Sequence, residues 1–167
     1  MDELIDDKLT MKERRGKTLP VLAVLSFIWI AYNVVTISAQ LVKGPLSDEE
    51  IDQQKYELLQ TYDEDSPSMV KEIMEESMET LDILKENFWA LASSNIIIYA
   101  LGFIAVFMML KLKKAGFYMY ILYCVAPIAI TMMYFSGFKI MMVGVAIQGF
   151  FSILFLILYG VQLKRMS

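Results

Sequence analysis

Uncharged polar side chains inside long apolar segments are the residues of this chain best placed to do chemistry. Three amides, Asn33, Asn95 and Gln148, each interrupt a segment without ionisable groups. Pro127 interrupts another such segment. If the segments cross a membrane as helices, these residues lie about 10–14 Å below one boundary, at 1.5 Å per residue. An amide in hydrocarbon must find a hydrogen-bond partner within the protein, so the spacing predicts one intramembrane polar layer.

Further polar and small residues share the helical faces of two of these amides. Asn33 has Ser26, Trp29, Thr36 and Gln40 on its face, and Gln148 has Gly144 and Ser152. Small residues let helices approach closely, and polar residues can hydrogen-bond between helices. Two interpretations stay open. One is a layer that fixes the register of packed helices, and the other is a polar patch in a cavity open to lipid or to a hydrophobic ligand.

The remaining composition argues against catalysis. The chain has no histidine, which removes the commonest proton carrier at neutral pH, and the apolar segments hold no acid or base. Cys124 is the single cysteine, so a thiolate metal cluster is not expected. No phosphate-binding glycine motif and no basic groove for nucleic acid is present. We therefore expect no enzyme activity, no cofactor, no metal and no nucleic-acid partner.

The elements that must position the polar layer are four predicted membrane spans. Hydrophobic residues make up 57% of the 167 positions, and a span needs about 20 apolar residues. Four segments qualify: 19–42, 88–110, 117–135 and 140–163. They predict an all-α fold in one membrane domain, residues 1–167, built as an integral membrane four-helix bundle. The connecting segments are 1–18, 43–87, 111–116, 136–139 and 164–167.

The distribution of basic residues predicts the orientation. Lys111, Lys113 and Lys114 separate the second and third spans, and Lys164 and Arg165 follow the fourth. Together with five basic residues before the first span they make ten, whereas the opposite side has five. Basic residues near span ends are retained in the cytoplasm. We therefore expect a multi-pass membrane protein with both termini cytoplasmic.

The polar insertion 43–87 carries two helix-start signals. Ser47 followed by Glu50 is a capping box, and Ser66 followed by Pro67 is a cap with proline at the first helical position. Apolar residues recur at helical spacing after both signals. The pattern predicts a short extracytoplasmic helical hairpin between the first two spans.

Three stretches carry a family resemblance: "RGKTLPVLAVLSFIWI", "MMLKLKKAGFYMYIL" and "FSILFLILYGVQLKRMS". A lysine-rich turn followed by aromatics, together with a basic tail, resembles a group of small, uncharacterised four-span bacterial inner-membrane proteins. The resemblance implies the four-span topology and a place in a bacterial cytoplasmic membrane, and it brings no activity or functional residue set with it. Tetraspanins differ in the position of their large loop, and claudins differ in their paired loop cysteines.

The absence of catalytic groups and the patterned helical faces lead to two functional hypotheses. The first is an accessory or assembly subunit of a larger inner-membrane complex, whose partners are membrane lipids and other membrane protein chains. The second is a lipid or hydrophobic-ligand binding or transport protein that uses the polar layer as the floor of its site.

Overall fold

The computed structural model describes residues 16–60 and 67–166, and all regular structure in these ranges is helical. The described part therefore confirms the predicted all-α class. The predicted cap Ser66 and the basic residues before Gly16 lie outside the described residues. The helices, in chain order, are α1 Thr18–Lys43, α2 Asp48–Gln60, α3 Ser68–Glu86, α4 Phe88–Leu110, α5 Lys114–Phe135 and α6 Lys139–Gln162, and a 3₁₀ turn, Leu163–Arg165, follows.

Four of these helices, α1, α4, α5 and α6, are long and apolar enough to cross a membrane. Their mean hydropathies are 2.0, 2.0, 1.6 and 2.4. They also present large apolar side chains outward, including Ile28, Val35, Ile97 and Phe150. Apolar residues on outward faces suit hydrocarbon and are unfavourable in water. The chain thus has the features of a multi-pass membrane protein.

The long helices pack side by side, with the most extensive contact between α4 and α5. Two glycines make this contact possible. A Cβ atom at Gly116 would lie 2.7 Å from both the Ala105 carbonyl oxygen and the Met109 nitrogen, and one at Gly102 would lie 2.5 Å from the Tyr123 ring. Only hydrogen atoms fit in these gaps. The backbone of α5 therefore lies against the backbone of α4 near Gly116, a glycine that was predicted to belong to the turn and that α5, beginning at Lys114, includes.

The turn between α4 and α5 ends α4 with a Schellman motif. The Lys113 N–H donates to the Met108 carbonyl oxygen at 3.0 Å, and the Leu112 N–H donates to that of Met109 at 2.8 Å. Leu112 takes the left-handed position with φ of 60°, where glycine is usual. Its side chain is 3% exposed, so burial of the leucine offsets a backbone cost of about 1–2 kcal/mol.

This turn belongs to the densely packed end of the four long helices, where α1 and α5 begin and α4 and α6 end; we call it the lysine end. Its core contains Leu19, Met109, Leu112, Tyr159 and Met166, all of them buried. The hydroxyl groups of Ser26 and Tyr159 hydrogen-bond at 3.0 Å and join α1 to α6. The lysine end is therefore closed by apolar packing and a satisfied polar pair.

At the opposite end lie the two polar helices. The capping box at the start of α2 is confirmed, since the Ser47 N–H donates to the Glu50 carboxylate at 2.9 Å and the Glu50 N–H donates to the Ser47 hydroxyl at 3.2 Å. Lys55 donates to both oxygens of the Asp82 carboxylate at 2.7 Å and so links α2 to α3. One non-helical residue, Asn87, separates α3 from α4.

Helix α3 also holds the start of α6. The Lys139 ammonium donates to the Glu72 carboxylate, and the Ile140 N–H donates to the Glu76 carboxylate at 3.1 Å. A carboxylate at a helix N-terminus satisfies an unpaired N–H and complements the helix dipole. Glu76 of α3 therefore caps a helix that lies more than sixty residues later in the chain, and Glu72 pairs with the lysine at its first position.

Candidate functional site: a cleft between the helices

A cleft of about 490 Å³ opens among the long helices at the end opposite the lysine end. It is lined by residues of α1, α3, α4, α5 and α6, and it runs down α4 from Phe88 to Tyr99. At 1.5 Å per residue this stretch is about 16 Å long. The cleft therefore lies between the four long helices on the side of α2 and α3, away from the lysine end.

The walls of the cleft are mainly apolar. Six apolar side chains from four helices line it: Ile37, Leu84, Phe88, Leu91, Ile130 and Phe135. Pro127 and Ala92 add two small apolar surfaces, one on each facing wall. Such a surface favours contact with hydrocarbon chains over water.

The polar groups of the cleft occur at two levels. Lys43 and Lys85 lie at its mouth, near the first turn of α2, whereas Asn95 and Gln148 lie deeper along α4 and α6. Gln40 and Thr131 also line it. A charged mouth above apolar walls with a few uncharged polar groups is the arrangement expected of a site for an amphipathic molecule.

Both lysines at the mouth pair with acids of α2. The Lys43 ammonium lies 3.3 Å from the Glu50 carboxylate, and the Lys85 ammonium hydrogen-bonds the Asp48 carboxylate. The Ser47 N–H and Lys43 hold the pKa of Glu50 below its ordinary value, and the hydrogen bond to Asp48 raises the pKa of Lys85. At neutral pH the mouth therefore presents two cations and two anions side by side.

The structure brings some of the predicted site residues together. Asn95, Pro127, Gln148 and Gln40 line the same cleft. Asn33 is outside that lining, and its amide donates to the Trp29 carbonyl oxygen of its own helix at 2.8 Å. The hydrogen-bonded layer that would join Asn33 to the other two amides stays a prediction.

The other predicted stripe residues occupy separate surroundings. Ser26 is buried at the lysine end, Thr36 donates to the Tyr32 carbonyl oxygen at 3.0 Å, and Trp29 is exposed. A Cβ atom at Gly144 would meet no atom within 4 Å, so this glycine brings no helix of the chain close. Ser152 is half-buried.

The predicted topology anchors lie at the lysine end. Lys111, Lys113, Lys114 and Lys164 are exposed, and the Lys111 ammonium lies 4.5 Å from the centre of the Phe107 ring. The Arg165 side chain is outside the described part of the structure. Long basic side chains at helix ends place their charge in the interfacial region while their stems cover apolar surface.

Sequence patterns missed several residues that shape this site. Lys43 and Lys85 were assigned only to orientation, and Gly102 and Gly116 were not assigned to packing. A glycine inside an apolar run is the available signal for close helix approach, but it does not reveal which glycine is used. Within residues 16–60 and 67–166 no cluster of three or more His, Cys, Asp or Glu is placed to hold a metal ion.

Over its described residues the chain is thus a helical protein with four candidate membrane spans and an amphipathic cleft between them. No family model, curated protein or solved structure matches the chain. Its function must therefore be argued from the site itself.

Proposed function

We propose that this chain is a non-catalytic membrane protein that binds a lipid or another amphipathic molecule in the cleft between its spans. The single observation that carries the proposal is the cleft of about 490 Å³, with apolar walls and charged groups at its mouth. Sites for small molecules are typically about 300–1,000 Å³ and mainly apolar. A bundle that served only as a rigid scaffold would be expected to fill this space with side chains.

The proposal includes an orientation. The lysine end faces the cytoplasm of a bacterium, and the cleft opens toward the outer leaflet of the cytoplasmic membrane, beneath an extracytoplasmic hairpin of α2 and α3. The support is the excess of basic residues at one end of the spans, because cytoplasmic loops retain Lys and Arg. A ligand could then enter sideways from the outer leaflet.

Photo-crosslinking tests the ligand site. The protein is reconstituted in vesicles of phosphatidylethanolamine and phosphatidylglycerol that contain a phospholipid with a diazirine in its acyl chain. After illumination, labelled peptides are mapped by mass spectrometry. We expect labels on the cleft faces of α4 and α5, around Asn95 and Ile130, in excess over the outward faces. Uniform labelling around all four spans would contradict the proposal.

Variants that fill the cleft make this test specific. Thr131→Phe and Ala92→Phe place a ring in the cleft from opposite walls and should reduce the excess labelling. The matched controls are Ala129→Phe and Ala100→Phe, which add the same ring at exposed positions of the same two helices. They should leave the excess labelling of the cleft unchanged. Equal labelling of filled and control variants would contradict a ligand in the cleft.

A second candidate function is that of an accessory or assembly subunit. It is favoured by α6, whose most apolar stretch has no residue buried by the described part of the chain and presents Gly144 in open space. Purification in a mild detergent after crosslinking in cells should then recover other membrane chains in fixed proportion. A monomer without crosslinked partners would contradict this candidate.

A further inference from the structure

We propose that the cleft selects a zwitterionic phospholipid, whose head places a phosphate against Lys43 and Lys85 and an ammonium group against Glu50 and Asp48. The inference rests on the proposed function and adds the chemical class of the ligand. It follows from the charges at the mouth, since the apolar walls below distinguish no head group.

The four groups of the two ion pairs at the mouth balance in charge. Lys43 and Glu50 form one ion pair, Lys85 and Asp48 form the other, and all four residues lie where α1 and α3 meet the first turn of α2. A zwitterion can insert into such pairs and supply each charged group with a new partner. A head with only an anion would take the lysines and leave two carboxylates unpaired beside it.

The surroundings also disfavour an anion. Asp52 and Asp82 lie close enough to Lys85 for their negative charges to raise its pKa. The first turn of α2 contains three more acids, Asp48, Glu49 and Glu50. Like charges brought together at an interface raise the free energy of binding. A purely cationic head meets the opposite difficulty at Lys43 and Lys85. The alternating charges therefore favour a molecule that carries both signs a few ångströms apart.

The existing ion pairs can be exchanged. The side chains of Lys43 and Asp48 are 66% and 87% exposed, and exposed ion pairs contribute little to stability. Opening them for a ligand therefore costs little, whereas the apolar walls of the cleft supply affinity for the acyl chain. The head group of the lipid therefore determines the selectivity, and its acyl chain determines the strength of binding.

Native mass spectrometry tests the inference. The purified full chain is exchanged into mixed micelles with equal amounts of phosphatidylethanolamine and phosphatidylglycerol of identical acyl chains, and the retained lipids are counted. We expect the wild type to retain phosphatidylethanolamine in about five-fold preference, the factor expected from one mismatched charge near a membrane surface. Asp48→Asn/Glu50→Gln should reduce that preference toward one, whereas Lys43→Gln/Lys85→Gln removes the partners of a phosphate that both lipids carry and should lower the retention of both. Glutamine at position 50 keeps a capping-box partner for Ser47, so α2 retains its start.

The outcomes separate this inference from the proposed function. A control at the lysine end, Lys113→Gln/Lys114→Gln, should leave the preference unchanged. If the wild type prefers phosphatidylglycerol, or if Asp48→Asn/Glu50→Gln keeps the full wild-type preference for phosphatidylethanolamine, the zwitterion is wrong while a ligand in the cleft stands. If Thr131→Phe retains as much lipid as Ala129→Phe, the cleft holds no lipid and both proposals fail.

Discussion

The two ends of the four long helices are built from different interactions. At the lysine end, Leu112 and Tyr159 are buried, and Gly116 brings two backbones into contact. At the cleft end, the helices surround a space of about 490 Å³, and exposed ion pairs connect α2 to α1 and α3 to α6. Apolar contact at close range is specific and rigid, whereas exposed ion pairs are weak and exchangeable.

This difference indicates a division of tasks. The lysine end fixes the arrangement of the helices, so the cleft end can stay open without loss of the fold. At the cleft end, Glu76 of α3 caps α6 and Glu72 pairs with Lys139, so polar contacts connect these two helices. Substitutions should therefore affect stability most at the lysine end and ligand binding most at the cleft end.

The largest expected effect is at Gly116. Gly116→Leu forces a side chain into the space between α4 and α5, where a Cβ atom alone would lie 2.7 Å from backbone atoms of α4. We expect a loss of about 3 kcal/mol or more of unfolding free energy, at the upper end of overpacking effects. Thermal unfolding in detergent measures it. Gly144→Leu is the control, because nothing lies within 4 Å of a Cβ there. Equal stability of the two variants would contradict the close approach.

A smaller effect is expected at Leu112. Leu112→Ala removes a buried side chain and should cost about 2–3 kcal/mol. Leu112→Gly removes the same side chain but relieves the left-handed backbone, so it should be more stable than the alanine variant by about 1 kcal/mol. Helix propensity alone gives the opposite order. Chemical denaturation of both variants decides between these two orders of stability. If the alanine variant is more stable than the glycine variant, the left-handed backbone at position 112 carries no strain.

The hydrogen bond between Ser26 and Tyr159 should contribute less again. A double-mutant cycle with Ser26→Ala and Tyr159→Phe isolates the pair, and we expect a coupling of about 0.6 kcal/mol, rising to at most about 1.7 kcal/mol. The matched single change Thr36→Val removes a hydroxyl that bonds within its own helix, so it should show no coupling to Tyr159→Phe. A coupling near zero for the Ser26 pair would mean that the two hydroxyls act independently.

The smallest effect concerns pH and should be confined to the cleft end. The lowered pKa of Glu50 means that its contribution to the stability of α2 is complete above the ordinary pKa of 4.5 and is lost as pH falls through the lower folded value. The raised pKa of Lys85 contributes stability that is complete below its ordinary pKa of 10.5 and is lost as the pH rises through the higher folded value. NMR titration of the Glu50 carboxyl carbon should give a midpoint below 4.5. A midpoint at or above 4.5 would contradict the bonds that Ser47 and Lys43 make to the Glu50 carboxylate.

The sequence was sufficient to predict the elements of the fold. Long runs without charge predicted four apolar helices, and the spacing of Ser47 and Glu50 predicted the start of α2. Both are local properties. The ends of the four long helices differ from the predicted ones by at most about three residues, and the largest difference is the start of α5, which includes Gly116 in its contact with α4.

The cleft and its mouth could be predicted only in part. Residue counts along the spans predicted one common membrane depth for Asn95, Pro127 and Gln148, and all three line the same cleft in the structure. Nothing in the sequence showed that the helices separate there, since separation depends on the angle at which α4, α5 and α6 cross. The contact of Glu72 with Lys139 likewise joins residues that only the three-dimensional fold brings together.

The most direct test of the account is a density map of the purified chain in a phospholipid nanodisc. We predict elongated density in the cleft, running from Lys43 and Lys85 past Leu91 to the level of Asn95 and Gln148, while the lysine end is solid protein. A map in which α1 and α6 close against each other at Gln148, with no space between the helices, would contradict it.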